Sequence, residues 1–195
     1  VFVLGIDPGV SRCGYGVIEQ KARTPRARAL GVLRTPPDDP LPKRLADLQL
    51  ELRELIAEFR PDVVSVERVF FQVNVRTAMA VGQASGLAMA EAHAAGCEVA
   101  VYTPNEVKLA VAGHGSADKE QMQQMVQTLL DLATPPKPAD AADAAALALC
   151  HLAHEPPTRR RRPTATAASR TSVSGTAASA STRSRTAASR TAVRP

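Results

Sequence analysis

VFVLGIDPGVSRCGYGVIEQKARTPRARALGVLR (1–34) is the stretch that decides the fold class. VFVLGID (1–7) is apolar until it closes on an acid, and Pro8-Gly9 is a turn pair. RCGYGVIEQ (12–20) alternates, and RARALGVLR (26–34) follows a polar hairpin expected around Thr24-Pro25. Three strands joined by short loops predict an antiparallel meander. PPDDPLP (36–42) then breaks the chain.

Beyond the meander the periodicity changes. Leu45, Leu48, Leu52, Leu55, Ile56 and Phe59 form one stripe of a helix over 43–60, ended by Pro61. DVVSVE (62–67) is a buried strand closing on a carboxylate. An alanine-rich helix over 75–95 stops at Gly96, and CEVAVY (97–102) is another buried strand. Thr103-Pro104-Asn105-Glu106 carries a capping-box Thr and Glu with Pro at the first helical position, so a helix starts there. The loop Gly113-His114-Gly115 leads to a helix with Met122, Met125, Val126, Leu129 and Leu130 inward. A proline linker (135–138) precedes a last helix over 138–154. The order β-β-β-α-β-α-β-α-α-α predicts an α/β protein: a mixed five-stranded sheet, three antiparallel strands first, with helices on its faces.

The charge is divided along the chain. Nine of the 24 Lys and Arg lie in 156–195, where there is no acid, leaving 15 basic against 19 acidic side chains in 1–155. The overall +5 therefore belongs to the C-terminal segment, and the remainder is acidic, so net charge by itself is no argument for nucleic-acid binding there. TAAS recurs at 166, 176 and 186 in a segment with almost no large apolar residue, which predicts a disordered tail (156–195) after one domain (1–155). No run approaches the roughly 18–20 apolar residues of a membrane span, and no signal-peptide pattern opens the chain. Cys13, Cys97 and Cys150 are unclustered and odd in number, as expected of reduced thiols in a cytoplasmic protein.

Four acids stand where a purely structural role is hard to supply. Asp7 and Glu67 close apolar strands, and Asp140 and Asp143 share one face of the last helix by their i,i+3 spacing. Taken singly, each has an ordinary alternative: a turn residue, a helix N-terminal acid, an exposed strand end. Together they converge if the first and fourth strands are neighbours and the last helix crosses them. Converged carboxylates repel, and hard oxygen ligands without histidine select Mg²⁺ or Mn²⁺. Two such ions about 4 Å apart activate a water and stabilise the leaving oxygen of a phosphoryl displacement. Asp140 and Asp143, expected in the first turn of that helix, feel the positive end of its dipole, which favours their ionised form.

These residues carry a family resemblance. VLGIDPGVSRCGYGVIE, VERVFFQVNVRTAMAVGQASG (66–86), YTPNEVKLAVAGHGSADKEQMQQMV (102–126) and ADAADAAALALCH (139–151) resemble, in order, the RuvC family of bacterial Holliday-junction resolvases, over about 1–154. The resemblance implies a ribonuclease-H-like fold, a homodimer, and Mg²⁺-dependent paired nicking of four-way DNA junctions in recombination and repair. The products would be ligatable 5′-phosphate and 3′-hydroxyl ends, and a RuvA–RuvB branch-migration complex would be the partner. It makes Asp7, Glu67, Asp140 and Asp143 both catalytic and metal-binding. Lys108 and Lys119 match basic residues that face the DNA backbone, with a solvated helix face as the alternative for each. Phe70 matches an aromatic that stacks on an unpaired base. Phe71 is open, and Arg68 and Arg76 flank the segment as phosphate ligands. Gly82 and Gly86, with Ala78 and Ala88, form small surfaces suited to a dimer interface or to packing on the sheet. His114, His151 and His154 read as solvated or structural. Rival readings are a nuclease of the same fold acting on RNA, an actin-like phosphotransferase, and a non-catalytic junction-binding module.

Overall fold

The computed structural model describes residues 1–22, 24–68 and 75–154, giving backbone alone for 75–77. Five strands and five helices follow in the expected order: β1 (Phe2–Asp7), β2 (Arg12–Lys21), β3 (Thr24–Arg34), α1 (Leu41–Phe59), β4 (Val63–Glu67), α2 (Val75–Ala94), β5 (Glu98–Tyr102), α3 (Pro104–Ala112), α4 (Lys119–Leu129) and α5 (Ala139–His154). The sheet order is β3-β2-β1-β4-β5. β1 runs antiparallel to β2 and parallel to β4, so the first and fourth strands are neighbours. The tail expected over 156–195, and with it the boundary at 155, lies outside the described residues.

Strand alternation sorts the core into two layers. Leu4 and Ile6 of β1, Tyr15 and Val17 of β2, and Val64 and Val66 of β4 pack with Leu48, Leu52 and Leu55 of α1 and Ala84, Ala88 and Ala92 of α2. Val3, Ile18, Leu30, Val32 and Val63 face the other way, onto α5 with α3 and α4. Alternation then places Asp7, Glu67, Arg12 and Arg34 on the α5 side, all at one end of the sheet.

α5 lies unusually close to that sheet, and glycine is the reason. A methyl group at Gly5 would collide with the Ala144 carbonyl, and one at Gly14 with the Asp140 carbonyl. The helix answers with alanine: Ala141, Ala144, Ala145 and Ala148 are fully buried. The glycines of the opening segment thus set the depth at which the last helix seats.

Three local expectations are corrected. Thr24 and Pro25 are not the hairpin turn but the first residues of β3, paired with Lys21 and Gln20. Ala22, at φ 56°, takes the left-handed turn position. Pro25 is tolerated because β3 is the sheet edge, where a missing N–H breaks no ladder. α1 begins at Leu41, since Pro42 within the first turn forfeits no intrahelical bond. Asp143 falls beyond the first turn of α5, leaving Asp140 as its first-turn acid. The expected capping box does form: the Thr103 hydroxyl accepts from the Glu106 N–H (3.2 Å), and the Glu106 carboxylate accepts from the Thr103 N–H (2.7 Å).

Candidate active site at the sheet rim

The four carboxylates predicted from sequence meet electrostatically. Asp7 ends β1 and Glu67 ends the adjacent parallel β4, both half-buried, while Asp140 and Asp143 descend from α5 onto the same face. Burial pushes the Asp7 carboxyl up to about 7, helped by the charges of Glu67, Asp143 and Asp140 and opposed by Lys119. Glu67 is raised too, by burial and then by Asp143. Asp143 is raised because burial outweighs the nearby Lys119 ammonium. Asp140 behaves differently: burial would raise it, yet the hydrogen bond and charge of Arg12 hold it below the usual range. One rim thus holds acids pushed in opposite directions, a pattern that marks a candidate functional site.

Two cations border the cluster. Arg12, at the start of β2, donates to Asp140 through both Nε (3.1 Å) and Nη2. Lys119 opens α4, where Asp118 and Gln121 form a capping box, and its ammonium stands 3.5 Å from the Asp143 carboxylate. Lys108, on α3, is half-buried, and no hydrogen bond or ion pair joins it to the carboxylates among the described residues. Phe70 and Phe71 lie outside the described residues, and the side chain of Arg76 is not described. Arg68 is exposed just past Glu67, its N–H donating to the Tyr102 carbonyl (2.8 Å). Gly82 and Gly86 face open space whereas Ala88 is fully buried, so the small residues of α2 divide between two surfaces. The Tyr102 hydroxyl and His151 Nδ1 share a hydrogen bond (2.8 Å) in the α5 layer, a structural role. His114 bonds Ser116 in an exposed loop.

Arg12 escaped the sequence reading. Its partner is 128 residues away, and nothing local marks it. The available signal was register: a basic residue beginning the strand that lies beside the one ending in Asp7.

All four candidate donors are carboxylate oxygens, the ligand type that Mg²⁺ and Mn²⁺ prefer. Among the described residues no three His, Cys, Asp or Glu side chains already enclose one ion position. Asp140 is turned to Arg12 and Asp143 to Lys119, which supply counter-charge to a crowded set of acids. The donor chemistry and mutual repulsion fit a divalent cation, which would take over that counter-charge.

The family model for the crossover junction endodeoxyribonuclease RuvC matches residues 3–151. This chain belongs to the RuvC family. The RuvC of Salinispora arenicola is 54% identical over 151 residues, spanning 77% of this chain and 86% of the relative. The Streptomyces avermitilis RuvC is 52% identical over 159 residues, or 81% and 90% of the two chains. The Thermus thermophilus RuvC, solved in complex with a Holliday junction substrate, superposes with a TM-score of 0.73 at 39% identity, covering 77% of this chain and 92% of that one. The mixed sheet is accordingly the ribonuclease-H-like architecture of RuvC resolvases.

Proposed function

We propose that the carboxylates at the rim are the catalytic centre with which this chain resolves four-way DNA junctions. As a RuvC family member it is a crossover junction endodeoxyribonuclease. The observation that carries the site is the convergence of Asp7 and Glu67 at adjacent strand ends with Asp140 and Asp143 of α5, which helps burial push the Asp7 carboxyl up to about 7.

Asp7, Glu67, Asp140 and Asp143 would hold two Mg²⁺ ions, with Mn²⁺ as a substitute. Bound there, the ions supply the positive charge that stabilises an in-line displacement at phosphorus and eases deprotonation of the attacking water. Arg12 keeps Asp140 ionised, and the dry α5 layer keeps the acids oriented. Lys119, exposed beside Asp143, fits a contact to the DNA backbone. Lys108, Arg76 and the base-stacking Phe70 are further DNA contacts in this reading. The products are paired symmetric nicks with 5′-phosphate and 3′-hydroxyl ends.

Paired nicks call for a two-fold enzyme. The outward Gly82 and Gly86, with Met79 58% exposed nearby on α2, support a homodimer through that helix. The branch-migration partner RuvA–RuvB and a cytoplasmic location complete the proposal; no helix among the described residues is long and apolar enough to cross a membrane. The domain is 1–155, with 156–195 as an appended basic segment adding sequence-blind DNA affinity.

Cleavage of a labelled synthetic four-way junction tests the reading, with linear duplex and an RNA–DNA hybrid as controls, in Mg²⁺, Mn²⁺ and EDTA. Symmetric nicks on the junction alone, sealed by ligase and lost in EDTA, are expected. Cutting of the hybrid with the junction spared would transfer the site to a different substrate.

A further inference from the structure

Across the rim the charges are ordered: Arg34 ends β3, Arg12 begins β2, Asp7 ends β1 and Glu67 ends β4. The acidic half is the candidate nuclease centre. The basic half has no part in it beyond the Arg12–Asp140 pair.

Arg12 and Arg34 are direct cross-strand partners on the same face. Like charges placed so oppose strand pairing. Asp140 compensates only Arg12. Arg34 is exposed and, among the described residues, has no carboxylate partner. Beside them opens a cleft of about 440 Å³ lined by Ser11, Arg12, Arg34, Thr35, Pro36 and Pro37. Its walls are tied together. The buried Thr35 hydroxyl donates to the Val10 carbonyl (2.7 Å) and accepts from Arg44 Nε (3.0 Å), and Arg44 Nη2 donates to the Ser11 hydroxyl. Two prolines stiffen the far side. A third guanidinium therefore braces a cleft that already holds two.

We propose that this cleft seats a backbone phosphate of the DNA strand being cut, held by Arg34 and by Arg12. The inference rests on the nuclease reading and specifies where the substrate strand leaves the carboxylates. Two strand spacings of about 4.8 Å separate β3 from β1, so the cleft is roughly 10 Å to one side of Asp7 along the rim. That distance suits a phosphate near the scissile one, not the scissile phosphate itself. Guanidinium groups bind phosphate in paired, charge-assisted hydrogen bonds, which lysine cannot reproduce. Apposed arginines that weaken the free sheet are stabilised when an anion lies between them.

The test uses the full chain in EDTA, which withholds the divalent ions that cutting requires on the proposed reading. Affinity for a fluorescent four-way junction is measured as a function of salt. Arg34→Ala should weaken binding about tenfold and lower the slope of log K against log salt by about one. Arg34→Lys should restore the slope but only part of the affinity. A second arm leaves the protein unaltered: neutral methylphosphonate linkages are walked through the nucleotides around the cut. One position near the scissile phosphate should weaken the unaltered protein about tenfold and leave Arg34→Ala indifferent. If the unaltered protein binds and cuts junctions while Arg34→Ala keeps its salt slope, or no linkage shows that dependence on Arg34, the proposal is overturned and the nuclease reading stands. A protein that neither binds nor cuts junctions overturns both.

Discussion

Asp7 and Glu91 are acids in the same protein with opposite fates. Glu91, on α2, is buried between α1 and α2 and receives hydrogen bonds from Gln49 (2.6 Å) and from Arg53 through Nε and Nη2 (2.9 Å each). Those bonds hold it below the usual carboxylate range. Asp7 has no such cage; it faces three other acids and is pushed up to about 7. Glu91 is surrounded by donors, whereas Asp7 stands among acids with the Lys119 ammonium as the cation opposing its rise.

The contrast makes graded predictions. Removing the charge of Asp7 should cost activity and not stability: Asp7→Asn is expected to lower junction cleavage by on the order of 10³-fold or more. The same change should raise the melting temperature in EDTA at neutral pH. A variant that cuts normally would break the comparison at its first term.

The pH dependence sharpens it. The folded protein holds the Asp7 proton more tightly than the unfolded chain, whose carboxyl has the ordinary value of 3.8. Asp7 therefore imposes no penalty below pH 4, and stability is lost as pH rises toward 7, by up to about 4 kcal/mol. Thermal melts in EDTA should show the unaltered protein falling progressively behind Asp7→Asn across that window. Parallel curves would mean that Asp7 is not strained.

Gly14→Ala attacks the seat of α5. The new methyl meets the Asp140 carbonyl, so destabilisation of about 1–3 kcal/mol is expected, together with weaker cleavage, by chemical denaturation and junction assay. Glu91→Gln is the smallest and the mirror image of the first. It should lower stability by about 1–2 kcal/mol, limited because Arg53 is largely in solvent, while cleavage stays within about twofold. Lost activity without lost stability there would erase the distinction.

What the sequence made legible follows the range of each interaction. Short apolar runs, and alternation in β2, revealed the strands, and the acids closing β1 and β4 were visible because they interrupt otherwise apolar runs. The spacing of Asp140 and Asp143 is local as well. Misreadings arose where a neighbouring strand decides. Thr24-Pro25 has turn composition but is held in the ladder by Gln20 and Lys21. Between Val17 and Ile18 the register slips by one, leaving Arg28 as the extra residue of β3, where it pairs with the buried Glu19. No periodicity announces such a bulge. Arg12 is the same lesson at the site: its role depends on a helix at the far end of the chain.

α5 closes over strands made at the very start of the chain, and this has a consequence for the order of synthesis. Asp7 leaves the ribosome long before Asp140 and Asp143. A nascent chain lacking α5 lacks the helix packed most closely on that face of the sheet and two of the four candidate acids. On the proposed reading, a nascent chain therefore gains its full set of candidate acids only once the last helix docks.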